Sequence, residues 1–361
     1  MLAALVMLSL LQGSVYAEEP YYNQETNAYY ANGNDTKIEE GDNYGQVYGN
    51  GGMSESAENI SGGSVTVTGG SIGQLIGAYC DDAISCNNNK LQVEGGNITT
   101  IFVVNGDAES ITGNSLTIDG GNVNAIQGFT NQNSNGLIQD NHITINNVTG
   151  LSGGFVGMYV DGGNIIENTI TINKVNSNSP IYFGGMLVIK DNESTIKGNK
   201  IYVGNGKYNI IQAFGGSIAE VAENELVING DAEAEIVYGV VGDDVSGNKL
   251  EVSGDTEIKQ IYAANGNDVS GNELNITDNS IIGKEGEAGE IVGASSENGN
   301  VTGNSITLSG NSTVYGEIVG GLSSYINEGV TESYEVTDNS ITLAGNSTII
   351  GHVYGGSAGD D

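Results

Sequence analysis

The chain has 361 residues, with 45 acidic and 10 basic side chains and a formal net charge of −35. Glycine occupies 57 positions and proline 2, tryptophan is absent, and every basic residue is lysine. So large a negative charge opposes binding to nucleic acid or to anionic lipid, and we expect neither as a partner. The composition is typical of a repetitive extracellular protein.

The first 17 residues have the pattern of a secretory signal. Residues 2–11 are almost wholly apolar, and Val15-Tyr16-Ala17 places small residues where a signal peptidase cleaves. We therefore expect cleavage after Ala17 and a mature chain that begins at Glu18. The apolar run is too short for a membrane span, which needs about 20 such residues. No lysine precedes Lys37, so the usual basic start is missing and the true start codon stays open.

Residues 18–36 are polar, show no repeat and contain tyrosines at positions 21, 22, 29 and 30. We expect this segment to be either a loose leader or an N-terminal cap. The repeat begins near residue 37, so residues 37–361 are predicted to form one β-solenoid.

A short motif, asparagine followed by two aliphatic residues that flank one outward position, recurs along the chain. Residues 304–308 read Asn-Ser-Ile-Thr-Leu, and residues 272–276 read Asn-Glu-Leu-Asn-Ile. The recurring asparagines are Asn89, Asn114, Asn141, Asn168, Asn199, Asn224, Asn248, Asn272, Asn304 and Asn339. They lie 24 to 35 residues apart, and Gly63 takes the asparagine position in one further copy. A near-constant period of this size predicts a solenoid in which each repeat covers its neighbour.

Each repeat contains three short segments with the alternation of a β-strand. Ile143-Thr144-Ile145 is one of the first kind, Glu235-Ile236-Val237-Tyr238 one of the second, and Val245-Ser246 one of the third. Left-handed hexad-based solenoids take about 18 residues per coil and show a repeat of six, which this chain lacks. The sequence therefore predicts an all-β fold, a right-handed parallel β-helix that is a three-faced β-solenoid of about eleven to twelve coils.

The recurring asparagine has two expected roles. Asparagine tolerates the left-handed backbone conformation that a tight corner needs. Its amide can also donate to and accept from the same residue one coil above and below. We therefore predict a structural asparagine ladder along the rod.

Three intervals between asparagines are longer than the rest, at 31, 32 and 35 residues. We assign the extra length to loops at residues 176–180, 284–289 and 323–333, because loops are where a solenoid usually carries binding function. The last repeat stops half complete, which would leave unpaired strand groups. We therefore expect the solenoid to be truncated at its C-terminus and the full protein to be longer.

Cys80 and Cys86 are the only cysteines, and we place them in a loop after the second strand of an early coil. In a secreted protein they could close a small disulfide ring, with free thiols as the alternative. Zinc is not expected, because neither His142 nor His352 is near them in sequence.

No residue pattern points to catalysis. His142 and His352 occupy ordinary outward strand positions, and no nucleophile, base and orienting group can be identified together. The calcium-binding Gly-Gly-x-Gly-x-Asp repeat is also absent. We therefore expect a protein that is not an enzyme and has no catalytic residues, metal or cofactor.

The repeated Asn-x-[Ile/Leu/Val]-x-[Ile/Leu/Val] strands, the glycine turns and the Val-Tyr-Gly endings behind a signal sequence resemble the passenger regions of bacterial autotransporters and related large adhesins. The resemblance implies a Gram-negative source, export, and display at the cell surface for adhesion, aggregation or biofilm formation. It also implies a host or bacterial surface protein or glycan as partner, and a C-terminal β-barrel translocator. The sequence contains no such barrel, which is therefore expected downstream, and no serine-protease motif.

Two other functions remain open at this point. The solenoid could bind or cleave carbohydrate through its loops, or it could be a spacer that holds another domain away from the cell. A spacer and an adhesive rod obey the same packing rules, and the sequence names no ligand.

Overall fold

The computed structural model describes residues 19–51, 59–184, 194–216, 219–324 and 334–359. Within these ranges every regular element is a β-strand and no helix is present. The expected signal segment 1–17, with its cleavage site after Ala17, lies outside the described residues.

The strands are short except for two, β7 and β9, that each cover most of a coil. Up to residue 112 they are β1 (Tyr21–Asn23), β2 (Ala28–Tyr30), β3 (Thr36–Ile38), β4 (Asn43–Asn50), β5 (Asn59–Ser61), β6 (Ser64–Val67), β7 (Ser71–Asn87), β8 (Lys90–Val93) and β9 (Asn97–Thr112). From residue 115 to residue 215 they are β10 (Ser115–Asp119), β11 (Asn122–Asn131), β12 (Leu137–Gln139), β13 (His142–Asn146), β14 (Phe155–Val160), β15 (Asn164–Ile166), β16 (Thr169–Asn173), β17 (Val175–Ser177), β18 (Ile181–Gly184), β19 (Ser194–Lys197), β20 (Lys200–Val203) and β21 (Gly206–Gly215).

The strands of the C-terminal half follow the same pattern, with one strand of the first kind in each coil. They are β22 (Ala219–Ala222), β23 (Glu225–Ile228), β24 (Ala232–Val241), β25 (Asp244–Ser246), β26 (Lys249–Val252), β27 (Glu257–Gly266), β28 (Asp268–Ser270), β29 (Glu273–Ile276), β30 (Ile281–Ile282), β31 (Gly289–Val292), β32 (Ser295–Ser296), β33 (Val301–Thr302), β34 (Ser305–Leu308), β35 (Thr313–Val319), β36 (Leu322–Ser324), β37 (Val336–Thr337), β38 (Ser340–Leu343), β39 (Thr348–Tyr354) and β40 (Ser357–Gly359).

Strands one coil apart pair in parallel along the described part of the chain. One sheet, here called the ladder sheet, has twelve strands in the order β3-β6-β8-β10-β13-β16-β20-β23-β26-β29-β34-β38. The other strands form a second continuous set of pairings, to which a typical coil contributes one longer and one short strand, such as β27 and β28. The predicted all-β parallel solenoid is confirmed, and its length is close to the expected eleven to twelve coils. Right-handed winding stays a prediction that rests on the coil length and on the absence of a six-residue repeat.

The core is built from columns of aliphatic side chains that repeat once per coil. Ile118 pairs with Ile145, and Ile145 pairs with Ile172, and all three are fully buried. The intervening Thr117 and Thr144 pair with each other and face outward. Each fully buried aliphatic side chain stabilises the fold by about 1.5 to 3 kcal/mol, so these columns are the main source of stability.

The left-handed backbone positions are not the ladder asparagines, so the first role expected for those asparagines is wrong. The strained residue is in each case the one before the asparagine, such as Asp140 (φ 54°), Glu223 (φ 55°) or Gly303 (φ 66°). The corner therefore turns one residue earlier, and the asparagine is left to place its amide inside the solenoid.

The segment of residues 19–36 packs against the first coil. Strands β1 and β2 form an antiparallel hairpin, and β2 pairs in parallel with β4. Tyr21 stacks on Tyr30 with ring centroids 4.7 Å apart, and Tyr30 stacks on Tyr48 at 4.9 Å. Of the two readings of this segment, the structure has the arrangement of a cap, in which a hairpin covers an otherwise open strand edge.

The strand registers locate the inserted residues. Register partners on successive coils differ in residue number by an offset that grows where residues are inserted. Across residues 282–290 this offset to the preceding coil rises from 24 to 30, so the loop predicted at residues 284–289 is present. The prediction that extra residues form a loop at 176–180 is mostly wrong. The offset to the next coil changes across these residues only from 31 to 30, whereas it falls from 30 to 25 between Gly184 and Ser194. Residues 185–193 of that coil, and residues 325–333 of the loop predicted at 323–333, lie outside the described ranges.

Candidate functional site

The ladder asparagines form one continuous hydrogen-bonded row inside the solenoid. In a typical step, the Nδ2 of Asn248 donates to Val221 O (2.8 Å), Ser246 O (3.1 Å) and Asn272 Oδ1 (3.0 Å). The backbone N of Asn248 donates to the same Oδ1 at 3.0 Å. The row runs from Asn89 to Asn339, and its members from Asn89 to Asn304 are at most 4% exposed. Because these amides are buried and satisfied by the protein itself, the row is structural and offers nothing to a ligand.

Cys80 and Cys86 form a disulfide, and both side chains are fully buried. The predicted loop position is wrong, because both residues lie within strand β7, on either side of a register irregularity between Cys80 and Ala83. The bond therefore lies in the core and ties together the two sides of a bulge. It is not an exposed redox or metal site.

The two histidines lie far apart in the register. His142 is exposed at the start of β13, and His352 is exposed on β39, where its ring lies 6.3 Å from that of Tyr354. Among the described residues, no group of three or more His, Cys, Asp or Glu side chains could hold a metal ion. The absence of catalysis and of cofactors stays a prediction.

One groove on the surface has a volume of about 440 Å³ and is lined by both lysines and glutamates. Its floor is the first part of β21, β24 and β27, three successive coils of 24 or 25 residues without insertions. The end of β17, at Ser177, and the following Asn178 bound one end, and the inserted loop at residues 283–287 bounds the other. This inserted loop is held by reciprocal backbone hydrogen bonds of 3.0 Å between Lys284 and Glu287. We call this site the Lys/Glu groove.

The rim of the Lys/Glu groove alternates positive and negative side chains. Lys207 Nζ lies 2.7 Å from Glu233 Oε2, Lys259 Nζ lies 3.6 Å from Glu235 Oε2, and Lys284 Nζ lies 3.1 Å from Glu287 Oε2. A fourth carboxylate, Glu257, stacks in register on Glu233 and has no cation within ion-pair distance in the described chain. These exposed pairs add little stability, so their side chains are free to exchange partners with a ligand.

The floor of the groove is fixed by Tyr208. Its hydroxyl donates to Gly204 O at 3.1 Å and to Asn205 O at 3.3 Å, and its ring is 4% exposed. Burial raises the pKa of Tyr208 above its usual range, so the phenol stays neutral and acts as a rigid support. The groove therefore combines a fixed floor with an exposed, mixed-charge rim, an arrangement suited to a ligand rich in hydroxyl groups or carrying both signs of charge.

The sequence did not predict the charged residues of this groove. Lys207 and Lys259 lie on strands two coils apart, and they share a surface with Lys284 only through the register of the intervening coils. The signal that could have found them is the placement of three of the ten basic residues in equivalent parts of nearby coils.

Comparison with known proteins gives no relative for this chain. No family model, no curated protein and no solved structure matches it. Among the described residues, no helix is long and apolar enough to cross a membrane.

Proposed function

We propose that this protein is an exported, non-catalytic β-solenoid that binds a surface ligand, in the manner of an adhesin passenger. The single observation that carries the proposal is the Lys/Glu groove, a concave site of about 440 Å³ bounded at one end by an inserted loop. Loops inserted into a solenoid are the usual location of binding function. The signal pattern of residues 1–17 supports export.

The proposed ligand is a host or bacterial surface protein or glycan. The groove carries three lysines and four glutamates, so it can bond to hydroxyl groups as well as to either sign of charge. A site of this kind attracts its ligand more weakly as salt increases, because all of its charges are exposed.

The test compares two charge reversals that alter the net charge equally. Lys207→Glu breaks the 2.7 Å pair in the groove, and Lys197→Glu breaks a 3.0 Å pair with Glu223 outside it. We expect purified wild-type protein to bind members of a panel of glycans and extracellular-matrix proteins, Lys207→Glu to lose that binding, and Lys197→Glu to retain it. Binding that both variants lose equally, or no binding to any member, would contradict the proposal.

A carbohydrate-cleaving enzyme is the second candidate, favoured by the stacked carboxylates Glu233 and Glu257 in the same groove. Two carboxylates can hydrolyse a glycosidic bond when one acts as acid and the other as base or nucleophile. Release of reducing ends from a polysaccharide panel would identify this activity. Loss of that release in Glu257→Gln would place the activity in the groove.

A further inference from the structure

One strip of the outer surface contains aromatic and amide side chains but no charge. Val156, Tyr182, Gln212, Tyr238 and Tyr262 follow one another in register on β14, β18, β21, β24 and β27. Each is half-buried, whereas the residues on either side of Tyr262 on the same strand, Ile261 and Ala263, are buried in the core. The column therefore faces outward, and we call it the tyrosine strip.

The rows on both sides of the tyrosine strip are uncharged as well. Ile210, Ile236 and Gln260 lie in register on one side, and Val241 and Asn265 on the other. The chain carries 45 acidic side chains, and the same strands β21, β24 and β27 begin with the charged residues of the Lys/Glu groove. Three adjacent uncharged rows on so acidic a rod indicate an interaction surface, since charged residues are depleted and tyrosine is enriched where proteins bind.

The tyrosine rings at one end of the strip are held in place. Tyr238 and Tyr262 stack with centroids 5.3 Å apart and an angle of 16° between the rings. The Tyr262 hydroxyl donates to Glu290 Oε2 at 2.6 Å. The rings therefore present fixed apolar surface, and binding on them costs little side-chain entropy.

The shape of the strip favours a thin, linear ligand. The column continues through Gln127 to Phe102, so it spans six steps of about 4.8 Å, or about 30 Å, and with its flanking rows, which lie five residues apart along β24, it is about 16 Å wide. The resulting area is on the order of 500 Å², below the roughly 800 Å² that each partner buries in a stable protein interface. The surface is too narrow for a second copy of this chain or another globular protein.

We propose that the tyrosine strip binds a neutral polysaccharide that lies along the rod axis. Sugar rings have apolar faces that stack on tyrosine, and their hydroxyl groups bond to amides such as those of Gln212 and Asn265. An acidic polysaccharide is repelled by the net charge of −35, and the carboxylate at the end of the strip, Glu290, already accepts the hydroxyl of Tyr262. The strip is separate from the Lys/Glu groove, so this proposal does not rest on the proposed function of the groove.

The experiment is affinity electrophoresis of the full chain through gels that contain hydroxyethylcellulose, xyloglucan or galactomannan, with polygalacturonate as the acidic control. We expect at least one neutral polysaccharide to retard the wild-type protein, and added salt to leave the retardation unchanged. The double variant Tyr238→Ala/Tyr262→Ala is expected to bind roughly tenfold more weakly, because it loses two stacking surfaces. Tyr202→Ala, which removes an outward tyrosine from the ladder sheet, is the matched control and is expected to bind normally.

A second variant keeps the proposal falsifiable if the double variant is unstable. Gln212→Glu places one charge in the strip without removing a ring, and it is expected to lose binding while keeping its circular dichroism and melting temperature. The proposal is overturned if no neutral polysaccharide retards the wild-type protein or if Gln212→Glu binds normally. It is also overturned if the wild-type protein sediments as a dimer that the tyrosine variant dissociates, because the strip is then an interface between copies. Failure of the Lys/Glu groove variants alone leaves this proposal unaffected.

Discussion

Each ladder asparagine hydrogen-bonds to backbone groups inside the solenoid and to the next asparagine. The amide of Asn248 donates to the buried carbonyl of Val221 and to the part-buried carbonyl of Ser246, and its Oδ1 accepts hydrogen bonds of 3.0 Å from both the backbone N and the Nδ2 of Asn224. Leaving buried polar groups unsatisfied costs about 1 to 3 kcal/mol each. The side chain therefore contributes to stability in three successive coils, although it makes few apolar contacts.

Replacing one such asparagine by alanine tests this role. We expect Asn248→Ala to lower the free energy of unfolding by roughly 2 to 4 kcal/mol, because several buried donors and acceptors lose their partner together. The matched control is Asn275→Ala, at an outward position of β29, which is expected to change stability by no more than about 0.5 kcal/mol. Denaturant titration of both variants gives the comparison, and equal losses would show that the row has no special role.

The phenol of Tyr262 makes the stability of the fold depend on pH through a single residue. Burial, together with the hydrogen bond to Glu290, raises the pKa of Tyr262 from 10.0 to about 12. The folded state therefore keeps this proton where the unfolded chain loses it, so the stabilisation is fully present below pH 10 and is lost as the pH rises towards 12. Tyr208 also ionises late because of its burial. Ultraviolet titration should therefore show one fewer late-ionising phenol in Tyr262→Phe than in the wild type. A difference spectrum that shows ionisation near pH 10 would contradict the assignment.

At the scale of the strand, stability depends on which of two neighbouring positions faces inward. Ile276 on β29 is fully buried between Val252 and Leu308, whereas Asn275 beside it is only half-buried and faces outward. An aspartate at position 276 would bury an unpaired carboxylate, which costs several kcal/mol or forces its protonation. An aspartate at position 275 keeps its hydration.

The expected outcome is that Ile276→Asp unfolds the neighbouring coils and that Asn275→Asp melts within a few degrees of the wild type. Thermal unfolding followed by circular dichroism makes the measurement. If both substitutions lower the melting temperature equally, the strand register assigned here is incorrect.

The parts of the fold that follow from the local alternation of inward and outward residues could be predicted from the sequence. Aliphatic pairs such as Ile143 and Ile145 mark inward positions, and the asparagine at a fixed distance before each pair marks the start of each coil. The left-handed position at Glu223 was missed because glutamate rarely adopts that conformation, and no local preference favours it there. The strand position of Cys80 and Cys86 was missed because Asp81 and Asp82 resemble a loop, whereas strand pairing resumes at Ala83 after the irregularity.

The Lys/Glu groove and the tyrosine strip could not be predicted because they exist only between coils. Lys207 and Lys259 line the same groove only because three successive coils stack in one register. A register error of one residue would disrupt this arrangement. The tyrosine strip was visible in part as the recurring Val-Tyr-Gly endings. Its lack of charge emerges only when the flanking rows are aligned.

At the scale of the whole molecule, the solenoid separates its functions around the rod. The ladder row and the disulfide are internal, the Lys/Glu groove occupies the start of the longer strands, and the tyrosine strip occupies their later part. The two surfaces are lined by different residues, so each can be altered by substitutions that leave the residues of the other unchanged. This separation explains why single outward substitutions are expected to change binding without unfolding the rod.

The most direct test of the stacked-coil arrangement uses paired cysteines on neighbouring coils. Thr117 and Thr144 are register partners on adjacent strands, about 4.8 Å apart, whereas Thr117 and Thr171 are separated by two steps, or about 10 Å. Dibromobimane becomes fluorescent when it joins two neighbouring thiols, and Cys80 and Cys86 do not compete because they are already bonded to each other. We expect strong intramolecular fluorescence from Thr117→Cys/Thr144→Cys and little from Thr117→Cys/Thr171→Cys. Equal signals from the two pairs, or a stronger signal from the second, would contradict the solenoid.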